Sequence, residues 1–373
     1  MQISACTCPL FAVYFSIMRK KSDLIGLVRP QVRELAAYHI DETPVRIKLD
    51  AMENPFPLPA AMRQEIARVV RDMPINRYPD PSGKNVKKAI ASLWKMKPEQ
   101  MILGNGSDEL IQAIILAFGG PVLIPMPTFA MYDITSRALA QAVVTVPLDQ
   151  DFDLDAVQML RKAKEYKAKV IFLASPNNPT GNRFSDKAVR TILDNANAAV
   201  VIDEAYFSFS NKTWLPLLNK YPNMIILRTL SKIGFAGLRI GVLIASEKIV
   251  GELNKIRLPY NINTLSQAVA AAALKHRQVL DRQISLLISE RGKLYNALSR
   301  MQGLAVYSSE TNFILFRTTR DATNIYTRLK KAGILIKNLN KPGPLKNCLR
   351  VTVGKPEENR AFLKMLKAIL ATD

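Results

Sequence analysis

Between residues 101 and 245 short apolar runs alternate with stretches of helical period, and this alternation constrains the fold more tightly than anything else in the chain. The runs are 101–103, 122–124, 142–146, 170–174, 199–202, 224–227 and 240–245, with helical patterns at 107–118, 129–139, 154–166 and 186–195. Strands that are apolar throughout need cover on both faces, and a helix between consecutive strands is the crossover a parallel pair requires. The expectation is an α/β fold built on a mostly parallel central sheet.

A chain of 373 residues is longer than one uniform core usually serves. After residue 262 the pattern changes to a long helix at 278–301, strands at 305–307, 313–316, 334–337 and 349–353, and helices at 323–331 and 357–370. This reads as a smaller α+β domain. The expected organisation is a leader or disordered tail at 1–22, an arm and connector at 23–75 packing on the small domain, a large domain at 76–262 and the small domain at 263–373. The connector holds Glu53-Asn54-Pro55-Phe56-Pro57-Leu58-Pro59, a rigid extended piece.

Most candidate polar groups follow a predicted strand, and in an open parallel sheet those ends line one crevice. Lys232 stands between the strand at 224–227 and a glycine-rich turn that leads to Arg239. Partial desolvation there favours the neutral, nucleophilic amine. Ser231 offers a hydroxyl and Arg239 a fork of donors, a pair suited to a phosphate. A carbonyl-reactive lysine beside a phosphate clamp points to pyridoxal 5'-phosphate (PLP); the alternative is an ordinary strand–turn–strand with surface Lys and Arg. Gly104-Asn105-Gly106-Ser107-Asp108-Glu109 opens a helix whose free N–H groups make an anion site, or simply a capped helix start. Ser175-Pro176-Asn177-Asn178-Pro179-Thr180-Gly181 is a fixed loop able to present the Asn178 amide. Met126-Pro127 and Asn178-Pro179 are expected to be cis, as deliberate features of ligand loops. Asp203, at a buried strand end, needs a partner; a pyridinium N–H would suit it, as would neighbouring backbone N–H groups. Tyr206 is placed to donate to a phenolate oxygen.

Composition excludes other classes. The formal charge is +21, but the basic residues are scattered and no basic run with interleaved aromatics stands out, which argues against nucleic acid. Cys6, Cys8 and Cys348 form neither a zinc pattern nor a disulfide framework, which fits a reducing cytoplasm. His39 and His276 lie in no metal or triad motif, so no metal is expected. Residues 1–17 are apolar and precede Arg19-Lys20-Lys21, the reverse of a signal peptide's charge order. They are expected to be a leader upstream of a start at Met18, or a disordered tail. No membrane partner is expected.

The strings GNGSDE, SPNNPTG, DEAY, TLSK and GLR, in this order and spacing, resemble the fold-type I PLP-dependent aminotransferases. LDAMENP, RYPD, NFILFR and NCLRVTVG are similar to the histidinol-phosphate aminotransferase branch, and the resemblance runs from about Val32 to the end. It implies that Lys232 holds PLP, that Asp203 pairs with the ring nitrogen, and that Asn178 and Tyr206 hold the ring oxygen. Gly106, Ser107 and Asp108, with Ser231 and Arg239, would hold the phosphate. Phe129 would stack on the ring, and Tyr78 would reach the phosphate in a neighbouring subunit of a homodimer. Tyr38, Asn178, Lys337 and Arg350 would meet the substrate. The implied reaction is transamination between L-histidinol phosphate and 2-oxoglutarate; an aromatic aminotransferase or a PLP-dependent decarboxylase of an amino-acid phosphate shares the same cofactor residues. A non-catalytic basic binding protein is the alternative of another class. Two departures stand out. Lys232 to Arg239 is seven positions, one shorter than in many of the wider class, and Lys337 stands where some members carry Arg.

Overall fold

The structure, a computed structural model, describes residues 24–37 and 40–372. The leader, Cys6, Cys8, Tyr38 and His39 therefore lie outside the described residues. By its contacts the chain forms two units, one ending at Ile40 and one starting at Asp41. Within the first, Leu24–Leu27 and Pro30–Arg33 are single helical turns. Everything below concerns the second.

The strands in chain order are β1 (Ile47–Lys48), β2 (Met101–Asn105), β3 (Val122–Met126), β4 (Val143–Pro147), β5 (Val170–Ala174), β6 (Ala199–Asp203), β7 (Met224–Thr229), β8 (Ile240–Ile244), β9 (Leu304–Val306), β10 (Phe313–Thr318), β11 (Ile334–Leu335), β12 (Lys337–Asn338) and β13 (Cys348–Thr352). Seven of them form one sheet in the order β2-β8-β7-β6-β5-β3-β4. Only β8 runs opposite to the rest, antiparallel to β2 and β7; the pairs β7–β6, β6–β5, β5–β3 and β3–β4 are parallel. Helices Ser107–Phe118, Met131–Ala138, Ala156–Glu165 and Asp186–Asn195 fill the connections, within two residues of their predicted ends.

Strand alternation divides the core in two. On β5, Val170, Phe172 and Ala174 enter one cluster while Ile171 and Leu173 enter the other. On β6, Val201 faces the first and Val200 and Ile202 the second. Apolar side chains on both faces are what made these segments continuous apolar runs. The register pairs Ala174 with Asp203 and Asp203 with Leu227, so the carboxyl ends of β5 and β6 stop level while β7 runs on to Thr229, just before Lys232.

The second sheet has the order β12-β13-β10-β9, all antiparallel. The expected single strand at 334–337 is in fact two. β11 pairs in parallel with β1, and beyond the buried Ile336 the chain changes partner so that β12 pairs with β13. Met126-Pro127 and Asn178-Pro179 are both cis, as are Gly120-Pro121 and Ser175-Pro176. Among the described residues no helix is long and apolar enough to cross a membrane.

Candidate active site

A cavity of about 250 Å³ opens at the carboxyl edge of the large sheet, lined by Ser107, Asp108, Phe129, Asn178, Asp203, Tyr206, Ser231, Lys232 and Arg239 among others. Sequence motifs far apart in the chain therefore share one space. The connector supplies a wall that the sequence did not announce, Ala51, Met52 and Glu53.

Lys232 sits in the turn Ser231–Ile233 directly after β7. Its Nζ lies 3.5 Å from the Ala51 carbonyl and 5.8 Å from the centre of the Tyr206 ring. Burial, and next the positive field of Arg350, lower its pKa to about 8. A neutral amine is thereby made available near neutral pH, as a nucleophile or base requires.

Asp203 ends β6 and is buried. One carboxylate oxygen accepts a 2.7 Å hydrogen bond from the Tyr132 hydroxyl, the other a 3.0 Å bond from the Ala205 amide. Burial raises its pKa to about 6, and these two donors pull against that rise. Tyr132 was not singled out from the sequence. Its signal was present in PTFAMY, where Phe129 and Tyr132 stand three apart at a helix start.

The anion cradle is set by close backbone packing. Gly106 has φ +82° and precedes the helix Ser107–Phe118, whose first amides lack intrahelical partners. A Cβ on Gly106 would meet the Arg239 guanidinium at 2.5 Å, and one on Gly241 would meet the Gly106 carbonyl carbon at 2.5 Å. The strand-to-helix turn and the Arg239 side chain can pack this closely only over glycine. Arg239 lies 3.6 Å from one oxygen of Asp108, whose other oxygen is buried without a partner among the described residues. Ser231 is buried and tied to Thr229, with 2.9 Å between their hydroxyls.

Arg350, expected to meet the substrate, is buried in the middle of β13, and its guanidinium donates to Asn178 Oδ1 and, at 2.9 Å, to the Asp50 carbonyl. Burial demands such partners, and here the loop after β5 and the connector supply them. Lys337 is directly opposite Arg350 in the β12–β13 ladder. Opposed residues of an antiparallel pair project from the same face, so two cations share one side of the small sheet. Tyr78 is 81% exposed and stacks on Tyr260 at 4.5 Å instead of lining this cavity.

A buried acid, a partly buried amine, an aromatic face and an anion cradle thus open on one cavity. That donor set fits PLP: an acid can answer its ring nitrogen, an amine its carbonyl and a helix N-terminus with a guanidinium its phosphate.

Comparison with known proteins agrees. The model of the family aminotransferase class I and II matches residues 45–366. Histidinol-phosphate aminotransferase 2 of Nitrosococcus oceani is 44% identical, over 91% of this chain and 96% of that protein. Histidinol-phosphate aminotransferase of Aquifex aeolicus is 40% identical, over 91% and 97% respectively. The crystal structure of histidinol-phosphate aminotransferase from Sinorhizobium meliloti, in complex with PLP, superposes with a TM-score of 0.84 at 24% identity, over 92% and 98% of the two chains. It shares the fold. The chain belongs to the class I and II aminotransferases, which are PLP-dependent enzymes.

Proposed function

We propose that this enzyme transfers the amino group of L-histidinol phosphate to 2-oxoglutarate, giving imidazole acetol phosphate and glutamate, in histidine biosynthesis. The observation that carries the substrate choice is the pair Arg350 and Lys337, opposed across two strands on one face of the small sheet. Two cations suit a dianionic phosphate, whereas a carboxylate is held by one guanidinium. The names of the relatives above support the same reading.

In this reading Lys232 is the cofactor lysine, Asp203 faces the ring nitrogen, Asn178 and Tyr206 face the ring oxygen, and Phe129 covers the ring. Gly106, Ser107, Asp108, Ser231 and Arg239 form the phosphate cradle. When bound, PLP supplies a carbonyl for the donor amine and an electron sink for the carbanion. Lys232 Nζ, as the free amine, would take the proton from the donor's α-carbon and pass it to the cofactor carbon that carries the donor's nitrogen. Asp203 keeps a proton on the ring nitrogen by remaining ionised. Arg350 holds the donor's phosphate in one half-reaction and a carboxylate of glutamate in the other. Residues 76–262 carry the cofactor, and 263–373 with the connector form the substrate side.

Lys337→Ala is the test of substrate class. It should lower kcat/KM for histidinol phosphate by about tenfold or more, the worth of one charge-assisted contact, and leave phenylalanine nearly untouched. Equal losses, or wild-type preference for phenylalanine, would move the enzyme to general aromatic substrates.

The assembly proposed is a cytoplasmic homodimer with shared sites. Tyr78, stacked on Tyr260, is 81% exposed, and Ile75 and Leu258, close to these two in sequence, are 78% and 67% exposed, apolar side chains that a partner subunit would cover. If Tyr78 completes the partner's site, inactive Tyr78→Ala and Lys232→Ala chains will make hybrids with one intact site. Mixing the two should restore activity. A mixture that stays dead while hybrids are seen to form, or a fully active monomer, contradicts the shared site.

A further inference from the structure

Tyr132 is buried completely, yet it is polar, and its hydroxyl donates to the Asp203 carboxylate at 2.7 Å. Its ring is clamped on one side by Phe172, parallel within 9° at 4.6 Å. Phe129 meets it edge to face, 87° apart at 5.5 Å. Two of the groups assigned above to the cofactor ring, Asp203 and Phe129, therefore touch the same side chain.

We propose that Tyr132 is a positioning residue that fixes the Asp203 carboxylate through its hydroxyl and the Phe129 ring through its edge, so that one side chain sets both the ring-nitrogen partner and the stacking face. The proposal rests on the reading of Asp203 as the partner of the ring nitrogen. A carboxylate oxygen has lone pairs for more than one donor, so Tyr132 and Ala205 leave Asp203 free to accept a ring N–H as well. A donor hydrogen bond stabilises the carboxylate and makes it the weaker base. The proton shared between carboxylate and pyridine then stays on the ring nitrogen, where it makes the ring an electron sink. Burial, and next the Asp203 charge, raise the Tyr132 phenol well above its ordinary range, so it stays a donor at any working pH.

Tyr132→Phe keeps the ring against Phe172 and removes only the hydroxyl. With the holoenzyme, the expected results are a shift of the isotopically labelled ring nitrogen's NMR signal toward the neutral pyridine position, about tenfold weaker PLP binding by equilibrium dialysis, and about tenfold lower kcat with little change in KM. A ring-fluorinated tyrosine at position 132 is a stronger donor of the same shape and should move the nitrogen signal the other way. Loss of thermal stability with an unmoved nitrogen signal in both variants would show a packing role only and overturn the proposal. Asp203→Asn separates the two layers of the argument. If it leaves the nitrogen signal in place, the Asp203 assignment fails; if it moves the signal and neither Tyr132 variant does, only the role of Tyr132 fails.

Discussion

Lys232→Ala should abolish transamination, with a fall of roughly 10⁴-fold or more, the upper range for loss of a general base, and should leave no lysine adduct for borohydride to trap at this position. The amine is partly buried at the end of β7, 3.5 Å from the Ala51 carbonyl, in a cavity that also holds Asp203 and Arg239. Its pKa, lowered to about 8 by burial and then by Arg350, adds a pH signature. Below that pKa the amine is protonated and cannot attack; above it the amine is neutral. Capture of added PLP by cofactor-free protein should therefore be level above about pH 8 and fall about tenfold per unit below it. Arg350→Gln removes a positive neighbour, so the inflection should move to higher pH. Stopped-flow absorbance across the pH range checks both. Unimpaired turnover in Lys232→Ala, or a capture rate that ignores pH between about 6 and 9, the range around the lowered value, would remove Lys232 from its role.

Much of this architecture is legible in the sequence, because parallel strands buried on both faces leave continuous apolar runs. The run at 199–202 is apolar since Val200, Val201 and Ile202 all enter a core cluster. The strand's true end was less legible. β6 continues through the polar Asp203, and the ladder goes on to the Glu204 amide, which donates to the Leu227 carbonyl at 2.7 Å. Hydrogen bonding follows backbone, whereas the sequence pattern reports side chains.

The site divides along the same line. Residues in local motifs, such as Ser107, Asn178 and Lys232, could be named from strand ends and turns. Contacts that depend on register between distant segments could not. Arg350 and Asn178 are 172 positions apart, and Tyr132 and Asp203 are 71 apart. Single-sequence spacing carries no information about which of several loops meets which. The connector is the sharpest case: Glu53 to Pro59 reads as a stiff spacer, yet just before it Asp50 and Ala51 offer carbonyls to Arg350 and Lys232.

The buried ion pair of Glu204 and Arg228, invisible to the sequence reading, should carry the largest stability effect. Both side chains are 1% exposed, and Arg228 reaches one Glu204 oxygen through Nε at 3.0 Å and Nη2 at 2.8 Å. Thr213 donates to Glu204 at 2.8 Å, the Trp214 amide donates at 2.5 Å, and Trp94 and Phe207 lie against the guanidinium at 4.5 and 3.8 Å. Burial lowers the Arg228 pKa, and Glu204 opposes that fall. Removing one partner strands the other charge in a dry site, so Glu204→Gln or Arg228→Met should each destabilise by about 3–5 kcal/mol. The double variant should lose much less than the sum, because neither charge is then left alone. Denaturant unfolding must be run at fixed PLP, since bound cofactor adds stability by mass action. The pair also joins the residue after Asp203 to the residue before Thr229, four positions short of Lys232, so it ties the two strand ends that present the acid and the amine. Restored stability in the double variant with activity still reduced would separate that spacing role from mere bulk stability. Strictly additive losses would mean that the two residues act apart.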